Sequence, residues 1–249
     1  MLHIFVDPVQ MQDDLLHVTG KDVNHIKNVL RLRPGDEISV RTGQDEREYR
    51  YGIEQFTDSE VVCRLRFVKE SDVELPVKVY LFQGLPKADK MELIIQKSVE
   101  LGVVEIIPVQ MHRSIVKLTG DKRRKRVARW QAIAEAAAKQ SKRAVIPRVQ
   151  EILSMKEALA YAAEHSDLIL VPYERMADEP ESGTRALIEA LQPGQTAAVF
   201  VGPEGGFEET EVETAVGEGA KTISLGKRIL RTETAALAFL AFLTYRFEL

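Results

Sequence analysis

The stretch VFVGPEGGFEETEV, Val199 to Val212, runs an apolar segment into a proline, a carboxylate and two pairs of small turn residues before an acid-rich segment. Gly202, Gly205 and Gly206 permit positive φ and carry no Cβ, so backbone can approach a ligand closely there, while Pro203 stiffens the turn. A phosphate cradle is disfavoured. Neither G-x-G-x-x-G nor G-x-x-x-x-G-K-[ST] occurs, and Glu204, Glu208 and Glu209 would surround an anion with like charge. Carboxylates beside bare backbone suit a ligand with a positive centre and ribose hydroxyls, a description that S-adenosylmethionine fits. The competing reading is that Glu208, Glu209 and Glu211 complement a helix amino terminus.

A second stretch, SLGKRILRTETAALAFL, places Gly226 after a strand, then Ile229 and Leu230, then Thr232 as an expected helix N-cap with Glu233 in the first turn. Ile229 and Leu230 could wall a slot for a flat ring, or pack as satellite core residues. A third loop, VPYE, follows another apolar run. In an open parallel sheet, ligands bind beyond the carboxyl ends of the strands, so these three loops are expected to form one pocket.

The elements that must position them follow from periodicity. Residues 1–72 read as a small β-rich module, in which EISVRTG and EVVCRLRFVKE alternate apolar and polar positions and KDVNHIKNVLR forms one helix. From residue 73 to 249 the pattern changes to nearly all-apolar strands alternating with helices, beginning with Val77 to Phe82 and a helix that puts Met91, Ile94, Ile95 and Val99 on one side. Gly102 ends that helix, and DLILVPY, TAAVFV and TISLG each follow a helical segment. Such alternation predicts an α/β domain with a parallel sheet covered on both faces.

Composition sets the remaining bounds. With 249 residues, 45% of them hydrophobic, the chain can bury a substantial core, and a net charge of −4 means that any nucleic-acid affinity must come from local clusters of Lys and Arg. A lone cysteine, Cys63, excludes an internal disulfide and fits a reducing compartment; it reads as a buried strand residue. The five histidines lack ligand spacing, so no metal is expected. The start MLHIFVDPVQ lacks signal-peptide character and the longest apolar run, AALAFLAFL, is too short to span a membrane, so a cytoplasmic protein is expected.

FVGPEGGFEETEV followed by SLGKRILRTETAALAFL closely resembles the carboxy-terminal signature of the ribosomal RNA small subunit methyltransferase E family, of the SPOUT class. HIKNVLRLRPGDEI, GLPKADKMELIIQKSVELGV, HRSIVKL and RWQAIAEAAAKQSKRAVIPRV are similar to family segments in the same order, so the resemblance covers nearly the whole chain. It implies a PUA-like RNA-binding domain over 1–72, a methyltransferase domain with a deep trefoil knot over 73–249, and a homodimer. The implied activity is methylation of N3 of a uridine in the decoding region of 16S ribosomal RNA, on the RNA or the small subunit. It also puts Val171, Pro172, Tyr173, Gly202, Pro203, Glu204, Gly205, Gly206, Leu225, Gly226, Ile229, Leu230 and Thr232 around S-adenosylmethionine.

GDKRRKRVARWQAIAEAAAKQSKR carries a dense positive head, which alone reads as a solvated helix end; with the resemblance, Arg123, Arg124 and Arg126 are expected to bind RNA phosphates, supported by Lys139, Lys142 and Arg143. Arg31, Arg33 and Lys87 complete the expected RNA contacts. Uridine N3 holds its proton at pH 7, so a cation over the imide oxygens would stabilise the developing anion; Arg231 and Arg113 are the expected cations, with Arg143 a third. Glu233 and Glu204 are the nearest carboxylates, although an unperturbed carboxylate is a poor base for so weak an acid. A salt bridge between Arg231 and Glu233 or Glu204, and helix capping by Glu233, are the structural alternatives. Two other functions compete: a noncatalytic rRNA-binding or assembly factor, and a knotted methyltransferase acting on another RNA atom.

Overall fold

The structure is a computed structural model that describes residues 1–116, 118–173 and 183–249. Its chain divides into two compact units, Met1–Glu74 with Ala138–Ile146, and Leu75–Ala137 with Pro147–Leu249.

The first unit is built on a six-stranded sheet in the order β1-β4-β5-β6-β3-β2. Its strands are β1 (Leu2–Phe5), β2 (Met11–Gln12), β3 (Leu15–Thr19), β4 (Glu37–Arg41), β5 (Arg47–Phe56) and β6 (Glu60–Glu70). All pairs are antiparallel except β1 with β4. Alternation along the strands sends Leu16, Val18, Ile38, Val40, Tyr51, Ile53, Val61 and Cys63 into one core. Burial pushes the Cys63 thiol up to about 12, the signature of an inert packed cysteine. The segment expected as one helix is shorter and less regular: α1 (Lys21–Asn24) passes into a π-helical turn, His25–Val29.

Residues 138–146 belong to this unit. Arg143 is 3% exposed and its guanidinium is paired with Glu74, whose carboxylate also accepts the Ala144 backbone N–H at 2.8 Å. The Arg143 carbonyl accepts a hydrogen bond from Arg41, itself paired with Glu48 at 3.1 Å. Arg143 is therefore not a surface phosphate contact or a catalytic cation, as the sequence suggested, but a buried charge whose partner lies 69 positions away.

The second unit is a seven-stranded parallel sheet, β10-β8-β7-β12-β11-β13, with β9 also on β8. Its strands are β7 (Lys78–Gly84), β8 (Glu105–Gln110), β9 (Arg148–Val149), β10 (Leu153–Ser154), β11 (Leu168–Pro172), β12 (Thr196–Val201) and β13 (Lys221–Ile223). The helices are α2 (Lys90–Glu100), α3 (Gly120–Gln140), α4 (Met155–His165), α5 (Thr184–Ala190), α6 (Glu209–Gly217) and α7 (Thr232–Glu248). β12 is buried at every position and β8 at all but its last, as the unbroken apolar runs require of strands covered on both faces. Phe82 of β7 stacks on Phe200 of β12 at 4.3 Å between ring centres. Met91, Ile94, Ile95 and Val99 make the buried side of α2 as expected, and α2 packs on α7.

Because β11 lies between β12 and β13 and all three run parallel, the loops leaving them emerge side by side at the carboxyl edge of the sheet. That edge holds the site.

Candidate cofactor and RNA-methylation site

A cavity of about 480 Å³ opens at this edge, within the usual size of small-molecule sites. All three expected loops line it: Pro172 and Tyr173 at the end of β11, Gly202 to Phe207 after β12, and Ser224 to Gly226 with Arg228 to Thr232 after β13. Of the thirteen residues expected around a cofactor, Val171 alone is absent from the lining; it is fully buried in the core beneath. Glu174 of the third loop lies outside the described residues.

The glycine turn is shaped by close approach more than by positive φ. Only Gly206 of its three glycines has a left-handed backbone, at φ 69°, and its amide donates to the Pro203 carbonyl at 2.9 Å. At the end of β7, a Cβ on Gly84 would sit 2.6 Å from Pro203 Cδ and 2.7 Å from Pro203 N, so Gly84 makes room for the turn. Nothing local to Gly84 signals this, because the neighbour it accommodates comes from the turn after β12. An added Cβ at Gly206 or Gly226 would meet no atom within 4 Å. Bare backbone thus faces open space on both sides of the cavity.

The base of the site is a hydrogen-bond relay. Gln83 Nε2 donates to Thr232 Oγ1 at 2.8 Å, and that hydroxyl donates to the Gly202 carbonyl at 2.6 Å. Thr232 is 5% exposed and is the first residue of α7; the N-cap is Arg231, in extended backbone. The expected Thr232 cap is therefore corrected: its hydroxyl fastens α7 to the glycine turn instead of closing its own helix.

The acids divide their roles. Glu211 reaches back to the Glu208 amide at 2.9 Å and accepts the His112 amide at 2.9 Å, which makes both carboxylates part of the α6 entry. Arg113 holds the outside of the turn, donating from Nε to Glu208 at 2.9 Å and from Nη1 to the Gly205 carbonyl at 2.9 Å. It does not line the cavity, contrary to its expected role as a catalytic cation. The Arg113 guanidinium holds the Glu208 carboxyl below the usual carboxylate range.

Lys90, for which the sequence suggested no role, also lines the cavity. Its ammonium is 3.0 Å from Glu204 Oε1 and 3.5 Å from Glu233 Oε2. Glu204 also accepts the Lys87 backbone N–H at 3.1 Å. Burial pushes the Glu204 carboxyl up, but the hydrogen bonds from Lys90 and Lys87 outweigh it and hold the group below its ordinary value. The Lys90 ammonium is held above its own, first through its hydrogen bond to Glu204. Glu233, one of the two nearest carboxylates in the sequence, pairs with Lys90 and is not among the residues that line the cavity. Arg228 and Arg231 line the cavity with no ion pair among the described residues; Glu204 and Glu233, the expected partners of Arg231, are paired with Lys90 instead.

Basic residues elsewhere fall in two groups. Arg31, Arg33, Lys87, Arg124 and Lys139 are exposed, and Arg123 is half-exposed near Glu151 at 3.8 Å. Arg124 pairs with Asp121 one turn away, while Arg126 and Arg129 converge on Glu92 of α2 at 3.5 and 2.8 Å. Lys139 lies over the Phe5 ring at 6.0 Å. No group of acids, histidines or cysteines among the described residues could hold a metal ion, and no described helix is long and apolar enough to cross a membrane.

A β-rich unit ahead of a parallel α/β unit, with a backbone-lined cavity at three neighbouring strand ends, defines the class: an RNA methyltransferase domain matches residues 73–244 and an RNA methyltransferase PUA domain matches residues 18–65. A Bacillus subtilis ribosomal RNA small subunit methyltransferase E is 40% identical over 233 residues, 93% of this chain and 90% of that protein. The Neisseria gonorrhoeae enzyme of the same name, solved bound to S-adenosyl methionine, superposes with a TM-score of 0.80 at 32% identity over 99% of this chain and 98% of its own. A Legionella pneumophila methyltransferase structure with bound SAM gives 0.77 at 32% identity over 98% and 97%. The chain belongs to the ribosomal RNA small subunit methyltransferase E family.

Proposed function

We propose that the protein uses S-adenosylmethionine to methylate N3 of one uridine in the decoding region of 16S ribosomal RNA. The observation that carries this reading is the single cavity made by all three carboxyl-edge loops in a chain related to the family along nearly its full length. Bare backbone at Gly206 and Gly226 leaves room for close contact with a nucleoside and its substituents, and Ile229, Leu230 and Val201 supply apolar wall. When bound, the cofactor supplies an electrophilic methyl on a sulfonium. The chain's own residues hold the partners in attack geometry, an effect worth about 7 kcal/mol or more in well-oriented systems.

Arg231 is the cation for the uracil imide oxygens, because it lines the cavity and no carboxylate among the described residues neutralises it. Glu233, facing Lys90, is assigned to positioning rather than proton removal. Arg123, Arg124 and Arg126, with Arg31, Arg33, Lys87 and Lys139, bind RNA phosphates in this reading; Arg143 is dropped because it is buried on Glu74.

The reading includes a PUA-like domain over 1–72, a methyltransferase domain over 73–249 with a trefoil knot through its last loops, a homodimer and a cytoplasmic setting. The α7 face that leaves Phe242 38% and Tyr245 74% exposed supports the dimer. The test is nucleoside mass spectrometry on small subunits lacking the modification, after incubation with the protein and S-adenosylmethionine. Appearance of 3-methyluridine at one site is expected. Methylation of a different atom, or cofactor binding without transfer, would overturn the assignment.

A further inference from the structure

We infer that Lys90 is a positioning residue whose ammonium ties the glycine turn to the start of α7 through Glu204 and Glu233. The inference rests on the reading of this cavity as the cofactor site. Glu204 belongs to the turn after β12, Glu233 is the second residue of α7, and Lys90 is the first residue of α2, so the bridge joins three elements distant in sequence.

The side chains of Lys90, Glu204 and Glu233 are 31%, 25% and 16% exposed, which places the cluster where solvent screening is incomplete. Without the ammonium, two neighbouring carboxylates would be left with no cation between them, and the glycine turn and α7 would lose this tie, keeping the hydrogen bond from Thr232 to the Gly202 carbonyl. The charged groups around Glu204 are Lys90 and Glu233, with Arg228 and Arg231 along the same lining. Among the described residues Lys90 is matched by two acids while Arg228 and Arg231 are matched by none.

Cofactor binding would be measured calorimetrically with S-adenosylmethionine for the wild type, Lys90→Met, Lys90→Arg and Glu233→Gln, with thermal melts for each. Lys90→Met is expected to bind about tenfold more weakly, between the small worth of an exposed pair and the hundredfold cost of a misplaced site group. Lys90→Arg should recover most of that loss. A structural role alone would leave the pH dependence unmoved, whereas here the acid limb of cofactor affinity should rise towards the ordinary carboxylate range in Lys90→Met, because Glu204 loses the partner that depresses it.

If Lys90→Met does not fold, Glu233→Gln decides, since it keeps Lys90 and Glu204 but cuts the tie to α7; weaker binding is expected. Wild-type binding with unchanged affinity and pH profile in the variants would overturn the bridge alone. No binding by the wild type would overturn the cofactor reading and the bridge with it.

Discussion

The hydroxyl of Thr232 donates a 2.6 Å hydrogen bond to the carbonyl of Gly202 while accepting one from Gln83 at 2.8 Å, so the start of α7 is fastened to the ends of β12 and β7. Thr232→Val keeps the shape but strands the buried Gln83 donor and the part-buried Gly202 carbonyl, which costs about 1 to 3 kcal/mol. Chemical denaturation should show that loss, and Thr232→Ser should restore most of it. Equal stability of the Val variant would mean that water replaces the relay.

Gly84 leaves space for Pro203, and an added methyl would stand 2.7 Å from its backbone nitrogen. Gly84→Ala should therefore displace the glycine turn and weaken cofactor binding, with a stability loss of about 1 to 3 kcal/mol from overpacking. Calorimetry beside a denaturation curve separates the two effects.

Arg231 lines the cavity as the N-cap of α7 without contributing a side-chain cap. Arg231→Ala is expected to lower single-turnover methylation by about a hundredfold or more if it serves as the oxyanion-type cation, with cofactor affinity little changed. Unchanged turnover would remove it from the mechanism.

Exposed and buried arginines should behave differently on RNA. Replacing Arg123, Arg124 and Arg126 together by Ala should weaken RNA binding and flatten its log–log salt slope by about 0.7 to 0.9 for each phosphate that is no longer neutralised. Arg143→Ala should instead destabilise the protein by about 3 to 5 kcal/mol, because it leaves Glu74 buried without its partner. A filter-binding salt titration and a melt on the same preparations distinguish these outcomes.

The first unit should lose stability in acid. Burial pushes the Glu48 carboxyl up, but the neighbouring Ser39 hydroxyl and the charges of Arg50, Lys69 and Arg41 bring it down to about 2. A depressed folded value means that the stabilisation is complete above the ordinary carboxylate pKa and is lost as pH falls towards 2. Glu48→Gln should flatten the stability profile across that interval, and an unchanged profile would assign the acid sensitivity elsewhere.

The alternation of EVVCRLRFVKE and the unbroken apolar run TAAVFV were enough to announce β6 and β12, because strand burial repeats over neighbouring residues. The same local logic placed Gly202, Gly206 and Gly226 in turns after strands and Thr232 at a helix start, and the rule that parallel sheets bind ligands at strand ends joined the three loops into one pocket. Partnerships between distant residues were beyond it. Arg143 and Arg231 look alike as loop arginines, yet one is buried on Glu74 and the other lines the cavity. Lys90 reads as one more surface lysine until α2 brings it to Glu204 and Glu233. Local periodicity and turn chemistry are properties of adjacent residues, so the sequence by itself determined the strands, the glycine turns and the cavity they form. Charge pairing depends on which side chains the folded sheet brings within about 4 Å, and only the tertiary structure decided which cations are neutralised among the described residues.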